Sequence, residues 1–241
     1  MQDSSQRIAG NLGRTQQLVL DALAKNQRSP EAAELLVVSK TWPAQSVVDV
    51  AEAGHFSFGE NKVQEAESKI VEVLTLLPHK KREDFTWHLI GKLQRNKARK
   101  AVHLFDVIHG VDSLKLARAI SNVSVELGEK QKVYLQVNIG DEEAKSGFSP
   151  ESIKCELEKL VQLPGLEILG LMCIPPNEDT AELSRPWFFK LKCLRDELQI
   201  QYDIELPGLS MGMSRDFEVA IEEGSTIVRV GSAIFGARNY T

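Results

Sequence analysis

The feature that most constrains this chain is a rhythm. Eight short apolar runs of strand character recur along it: residues 35–39 (LLVVS), 55–59 (HFSFG), 85–91 (FTWHLIG), 104–110 (LFDVIHG), 132–140 (KVYLQVNIG), 166–174 (LEILGLMCI), 204–212 (IELPGLSMG) and 226–231 (TIVRVG). Segments of helical periodicity lie between them, such as PAQSVVDVAEAG and SLKLARAISNVSVELG. The runs are continuous rather than alternating, the pattern of parallel strands buried on both faces. Eight such βα units predict an α/β fold closed into a single (β/α)8 TIM barrel, one domain over residues 1–241. Ile8, Leu12, Leu18, Val19 and Leu23 at helical spacing add an N-terminal helix over residues 4–26. Asp112 or Ser113 can cap one helix, and Ser149–Pro150 can start another. An open doubly wound sheet is the alternative, but no turn carries the G-x-G-x-x-G fingerprint of a dinucleotide fold. Pro207 and Gly208 make the seventh run the weakest.

Composition narrows the function classes. The net charge of −5 does not suit bulk binding to a phosphate backbone, so no nucleic acid partner is expected. Residues 92–102 (KLQRNKARKAV) are basic, through Lys92, Arg95, Lys97, Arg99 and Lys100. They lack the interleaved aromatics of a single-strand site and read as a solvated helix face. No apolar run approaches the ~18 residues of a membrane span, and the N-terminus has no signal-type apolar core, so a cytoplasmic protein is expected. Cys155, Cys173 and Cys193 show no paired spacing and read as reduced packing residues. No His, Asp or Glu group has metal-ligand spacing. Nothing marks a large apolar interface, and a monomer is expected.

Polar residues gather where a barrel keeps its active site, at the C-terminal ends of the strands. Lys40 follows the first run, Asn61 the second; His88 and His109 lie late in the third and fourth; Arg229, Gly231 and Ser232 close the eighth. Lys40 has two readings, a snorkelling surface cation or an amine nucleophile for a carbonyl. The small, glycine-bearing stretch 210–214 and the pair Gly231–Ser232 match the phosphate loops of barrel enzymes, where backbone N–H groups face an anion. An amine and an anion cradle together suggest an aldehyde that carries a phosphate, and pyridoxal 5′-phosphate (PLP) is the obvious one. His88 either hydrogen-bonds inside the barrel or faces Lys40 and lines the cofactor ring. Asn61 either caps the next helix or reaches the cofactor. Lys145 either pairs with Glu142 or serves as a second amine.

LLVVSKTWP, FGENKVQE, WHLIGKLQRNK, VNIGDEEAKSGF, LSMGMSRDFEVAI and GSTIVRVGSAIFGARNY occur in an order and spacing that resemble the pyridoxal phosphate homeostasis proteins. That family is related to the N-terminal barrel of alanine racemase, and the resemblance covers roughly residues 5 to 240. It implies a PLP barrel with Lys40 as the Schiff-base lysine. It implies phosphate contacts near Ser210, Met211, Ser214, Gly231 and Ser232, and Arg229 close to the pyridine nitrogen. The family's HSVDS-like stretch reads HGVDS here, with Gly110 in place of a serine. Guanidinium is a donor only, so a pyridine nitrogen facing Arg229 must accept and stay unprotonated, which makes it a weak electron sink. The family is regarded as carrying or buffering PLP with no established turnover, so storage or delivery of PLP is expected, with PLP-dependent apo-enzymes as partners. The alternative is an amino-acid racemase, which needs a second base. In alanine racemases that base is a tyrosine from a further domain, and Tyr134, Tyr202 and Tyr240 are not plainly placed for it. An aldolase-like use of Lys40 on a sugar phosphate is a third reading.

Overall fold

The computed structural model describes residues 2–142 and 145–236. Eight strands form a closed parallel barrel in sequence order: β1 (Glu34–Val38), β2 (Ser57–Glu60), β3 (Thr86–Leu89), β4 (Val107–Val111), β5 (Gln131–Gln136), β6 (Leu166–Met172), β7 (Gly208–Met213) and β8 (Ile227–Val230), with β8 pairing back onto β1. Helices follow the strands: α2 (Ala44–Glu52), α3 (Val63–Leu76), α4 (Ala98–Leu104), α5 (Leu114–Leu127), α6 (Pro150–Val161), α7 (Ala181–Tyr202), α8 (Phe217–Glu222) and α9 (Ser232–Phe235). The expected barrel is therefore present. So is the expected leading helix, α1 (Gln2–Lys25), whose Ile8, Leu12, Val19 and Leu23 are buried on one face while Leu18 stays largely exposed.

Local chemistry explains the boundaries. Ser113 accepts from the Leu116 N–H and opens α5, and Gly128 closes it in the left-handed region at φ 73°. Ser149 accepts from the Ser152 N–H with Pro150 in the first turn of α6. Pro207 does not interrupt β7 but precedes it, since the strand starts at Gly208. The fifth run is shorter than expected. Past Gln136 the chain leaves the sheet, and Asn138 brackets Glu142 by donating to its carbonyl (2.9 Å) and accepting from its N–H (3.3 Å). Residue 110 has no room for a side chain, because a Cβ on Gly110 would lie 2.6 Å from the Gly91 carbonyl oxygen.

Two apolar cores result. The larger fills the layer between strands and helices, with Phe58, Trp87, Leu89, Ile108 and Phe188 fully buried. The smaller lies within the barrel and is built from Leu36, Val107, Tyr134, Met172 and Ile227. The barrel interior also holds buried polar groups, His88, His109, Ser210 and Arg229. Of the cysteines only Cys173 is a buried packing residue; Cys155 on α6 and Cys193 on α7 are free and exposed, on helix faces that the core does not use. The basic stretch is mostly exposed as expected, and two of its side chains are paired across helices, Arg99 with Glu126 and Lys100 with Glu67. Among the described residues no helix is long and apolar enough to cross a membrane, and no cluster of three or more His, Cys, Asp or Glu could hold a metal ion.

Candidate functional site

A cavity of about 660 Å³ opens at the C-terminal ends of the strands, a size that suits a small cofactor. Lys40, Asn61, Ser214, Arg229, Gly231 and Ser232 all line it. Six positions that the sequence singled out, spread over more than 190 residues, thus meet on one wall system. The other three lie elsewhere. Ser210 and His88 are buried beneath the cavity inside the barrel, and Met211 packs in the outer core between strand and helix. Alternation of side chains along β7 is the reason: Ser210 faces inward, so Met211 must face outward.

Lys40 is half-buried and sits one residue beyond Ser39, whose N–H donates to the Gly59 carbonyl. The turn after it is tight. Thr41 has φ 68°, a left-handed conformation costly for a β-branched residue, and its N–H donates to the Glu65 carboxylate. Below this turn lies a feature that the sequence reading missed. Lys69, in α3, is only 6% exposed and donates to the Ser39 carbonyl (2.8 Å), to Glu60 (2.7 Å) and to Glu65 (3.0 Å). Glu60 is fully buried, accepts from the Ser39 hydroxyl (2.7 Å) and leaves its second carboxylate oxygen with no partner. Burial raises the pKa of Glu60, and the Lys69 ammonium opposes that rise. In sequence Lys69 is one lysine among the polar residues of an amphipathic helix, and no local signal marks it as buried.

Asn61 does not cap α3, whose N-cap is Lys62, and its side chain is left to the cavity. On the opposite flank, the Gly231 N–H (3.1 Å) and the Ala233 N–H (3.4 Å) converge on the Ser214 hydroxyl oxygen. Converging backbone donors beside a hydroxyl form an anion cradle. Glycine suits 231, because a Cβ there would sit tightly, 3.0 Å from the Val38 carbonyl oxygen and 3.3 Å from the Val38 Cβ, and would push on β1. Arg229 forms part of the cavity floor. It is 5% exposed and donates to Ser210 Oγ (2.6 Å) and to the Cys173 carbonyl (2.8 Å), while burial pulls its pKa below the usual arginine value. Lys145 also lines the cavity, donating to Glu142 and to the Pro175 carbonyl (2.9 Å). The amine, the anion cradle and the guanidinium are the donor set that a phosphorylated aldehyde with an acceptor ring would need, so the residues present fit PLP.

Two of the three tyrosines raised by the racemase alternative, Tyr134 and Tyr202, lie apart from this cavity. Tyr134 sits in the barrel's inner core against the His109 ring, its centroid 4.6 Å away, and burial pushes its pKa up to about 12. Tyr202, at the end of α7, donates its hydroxyl to the Lys154 carbonyl on α6. Tyr240 lies outside the described residues.

Known proteins agree with this architecture. The profile of the family described as alanine racemase, N-terminal domain, matches residues 20–239. The pyridoxal phosphate homeostasis protein of Aquifex aeolicus is 42% identical over 229 residues, which covers 95% of this chain and 97% of that protein. The protein of the same name from Pseudomonas aeruginosa is 40% identical over 235 residues, covering 97% and 96%. Among solved structures, PipY of Synechococcus elongatus with PLP bound superposes with a TM-score of 0.78 at 42% identity, covering 90% of this chain and all of that one. Alanine racemase from Corynebacterium glutamicum superposes at 0.71 with 17% identity, covering 97% of this chain and 61% of that one; it shares the fold. By sequence along nearly its whole length, this chain belongs to the family of pyridoxal phosphate homeostasis proteins and is built on the barrel of the alanine racemase N-terminal domain.

Proposed function

We propose that the chain binds pyridoxal 5′-phosphate in the barrel mouth and takes part in PLP homeostasis by storing the cofactor and delivering it to PLP-dependent apo-enzymes. The whole chain acts as one PLP-binding domain, as a monomer in the cytoplasm. The observation that carries this reading is the convergence on one cavity of the Lys40 amine, the amides around Ser214 and the Arg229 guanidinium. When bound, PLP supplies an aldehyde with which a primary amine can condense. Lys40 presents that amine. Gly231, Ser232 and Ser214 hold the phosphate by backbone N–H groups and hydroxyls. Arg229 donates toward the ring nitrogen and keeps it an acceptor, because guanidinium cannot accept. Asn61 and Lys145 line the same cavity as Lys40. The family name of its relatives and the PLP held by PipY support the same assignment.

The test is Lys40→Ala. Borohydride reduction of the PLP-loaded wild type is expected to fix the cofactor to the Lys40 peptide, and the variant is expected to lose this fixation while keeping its fold. Lys40 is half-buried at a strand end, so the change in unfolding free energy should stay within ~1 kcal/mol. Equal fixation in the variant, mapped to another peptide such as that of Lys145, would overturn the assignment.

A further inference from the structure

Beneath the cavity a file of polar groups crosses the barrel from Arg229 to its opposite rim. Arg229 Nη1 lies 2.6 Å from Ser210 Oγ, and Ser210 Oγ lies 2.8 Å from His109 Nδ1. His109 Nε2 is 2.9 Å from His88 Nδ1. His88 Nε2 faces Ser57 Oγ at 3.4 Å, the longest link, and Ser57 donates to Glu34. Glu34 begins β1 and its side chain is 48% exposed, so the file ends at solvent on the rim away from the cavity. His88, His109, Ser210 and Arg229 are each at most 5% exposed.

The chemistry of the two ends fixes the direction of every bond between them. Arg229 can only donate, so Ser210 Oγ accepts from it. The Ser210 hydroxyl proton then has one acceptor among its partners, His109 Nδ1. His109 must therefore carry its own proton on Nε2 and donate it to His88 Nδ1. His88 in turn carries its proton on Nε2, facing Ser57, and Ser57 donates to the Glu34 carboxylate. The reverse direction is closed at both ends, since arginine cannot accept and an ionised carboxylate cannot donate. Both imidazoles are neutral, as burial requires: His88 is lowered to about 4, and His109 is lowered by burial, by His88 and by Arg229. Hydrogen bonds aligned head to tail polarise one another, so each link strengthens its neighbours.

We propose that this file is a one-way hydrogen-bond relay in which His109, acting through Ser210, positions Arg229 toward the ring of the bound ligand and couples that ring to Glu34 on the far rim. It deepens the PLP reading and rests on it for the identity of the ring. His109 does not touch the cavity; it is a positioning residue that fixes the Ser210 hydroxyl as an acceptor for Arg229, and so fixes which guanidinium N–H groups are left for the ring nitrogen. No proton has to move for the relay to act.

The relay is tested first on the cofactor-free protein by nitrogen-15 NMR of its five histidines at neutral pH. His88 and His109 are expected as neutral rings protonated at Nε2. An Nδ1-protonated or doubly protonated His109 would overturn the proposal. The second readout is PLP titration followed by visible absorption. His109→Phe keeps a ring against Tyr134 but removes both polar contacts, and it should shift the absorption of bound PLP and weaken its binding about tenfold. His109→Gln offers an acceptor and a donor in the same sense and should restore both. Glu34→Gln, on the far rim, should shift the spectrum the same way by a smaller amount. A folded His109→Phe with unaltered spectrum and affinity would overturn the proposal, as would failure of Gln to rescue. Should the Phe variant not fold, the ring tautomers and the Gln and Glu34 variants still decide it. Failure of the wild type to take up PLP would sink the functional reading and the coupling to the ring, whereas the tautomers are read without PLP and report the direction of the relay separately.

Discussion

On the β1–β2 flank of the cavity the strand ends are tied by charge. Lys69 reaches the Ser39 carbonyl and two carboxylates under the turn that carries Lys40, and Glu60 is buried with one oxygen unpartnered. On the β7–β8 flank the same task is done almost without charge. Backbone amides converge on Ser214, and the Ser210 hydroxyl stands under one buried arginine, backed across the barrel by His109 of β4 and His88 of β3. The first flank must keep a flexible lysine side chain aimed in one direction, so it clamps the backbone beneath it. The second, in the proposed function, presents N–H groups to an anion, a task that suits small residues and close approach. A buried ion pair fails when one partner is removed, whereas buried imidazoles contribute only while they stay unprotonated. The two flanks should therefore fail under different insults.

The largest expected effect is on the charged flank. Lys69→Met leaves Glu60 buried without its counter-ion, and breaking such a pair costs about 3–5 kcal/mol. Urea unfolding would measure it, and Lys69→Met combined with Glu60→Leu should recover much of the loss. A loss under ~1 kcal/mol in the single variant would show that Lys69 is not a clamp.

Acid should strike the file beneath the cavity. The folded pKa of His88 is depressed, so its contribution to stability is fully present above its unfolded value of 6.5 and is lost as pH falls toward about 4. At about 1.4 kcal/mol per pH unit this amounts to about 3 kcal/mol, and His109 adds a loss of the same sign. Glu60 has the opposite sign: its folded pKa is raised, so its contribution is present below 4.5 and is lost as pH rises. His88→Gln should flatten the decline between pH 6.5 and 4 in a series of chemical denaturation curves. An unchanged slope would mean that the imidazole is not held neutral by the fold.

Gly231→Val sharpens the contrast from the ligand's side. Its Cβ would press on Val38 and displace the amides at 231 and 233. One lost charge-assisted contact is worth ~1.5–3 kcal/mol, so PLP affinity should fall tenfold or more with little change in the spectrum of the bound fraction. Undiminished binding in that variant would remove the phosphate from β8. The smallest effect is expected at Thr41→Gly. Relief of the left-handed strain (~1–2 kcal/mol) is mostly offset by the greater freedom of glycine in the unfolded chain, so stability should change by less than ~1 kcal/mol in thermal melts.

The barrel was legible from the amino-acid sequence, and so were the glycine-bearing turn and the lysine as residues of its mouth, which line one cavity. Continuous apolar runs separated by amphipathic helices leave few folds open, and a small glycine-bearing turn at a strand end has a local signature that needs no tertiary knowledge. Boundaries were less legible. Leu104 closes α4 rather than opening β4, and β7 begins after Pro207, because hydrogen-bond partners rather than apolarity settle where an element stops. What lies under the site is set by the closure of the barrel. Ser210, assigned to the phosphate by resemblance, turns into the barrel and bonds Arg229; His88 faces His109. Lys69 becomes the support of Lys40 from 29 residues away. These roles depend on which face of a strand points inward and on which helix covers it. A lysine or histidine side chain reads the same in sequence whether it ends in water or in a buried network, and only chain closure brings its partners within hydrogen-bonding distance.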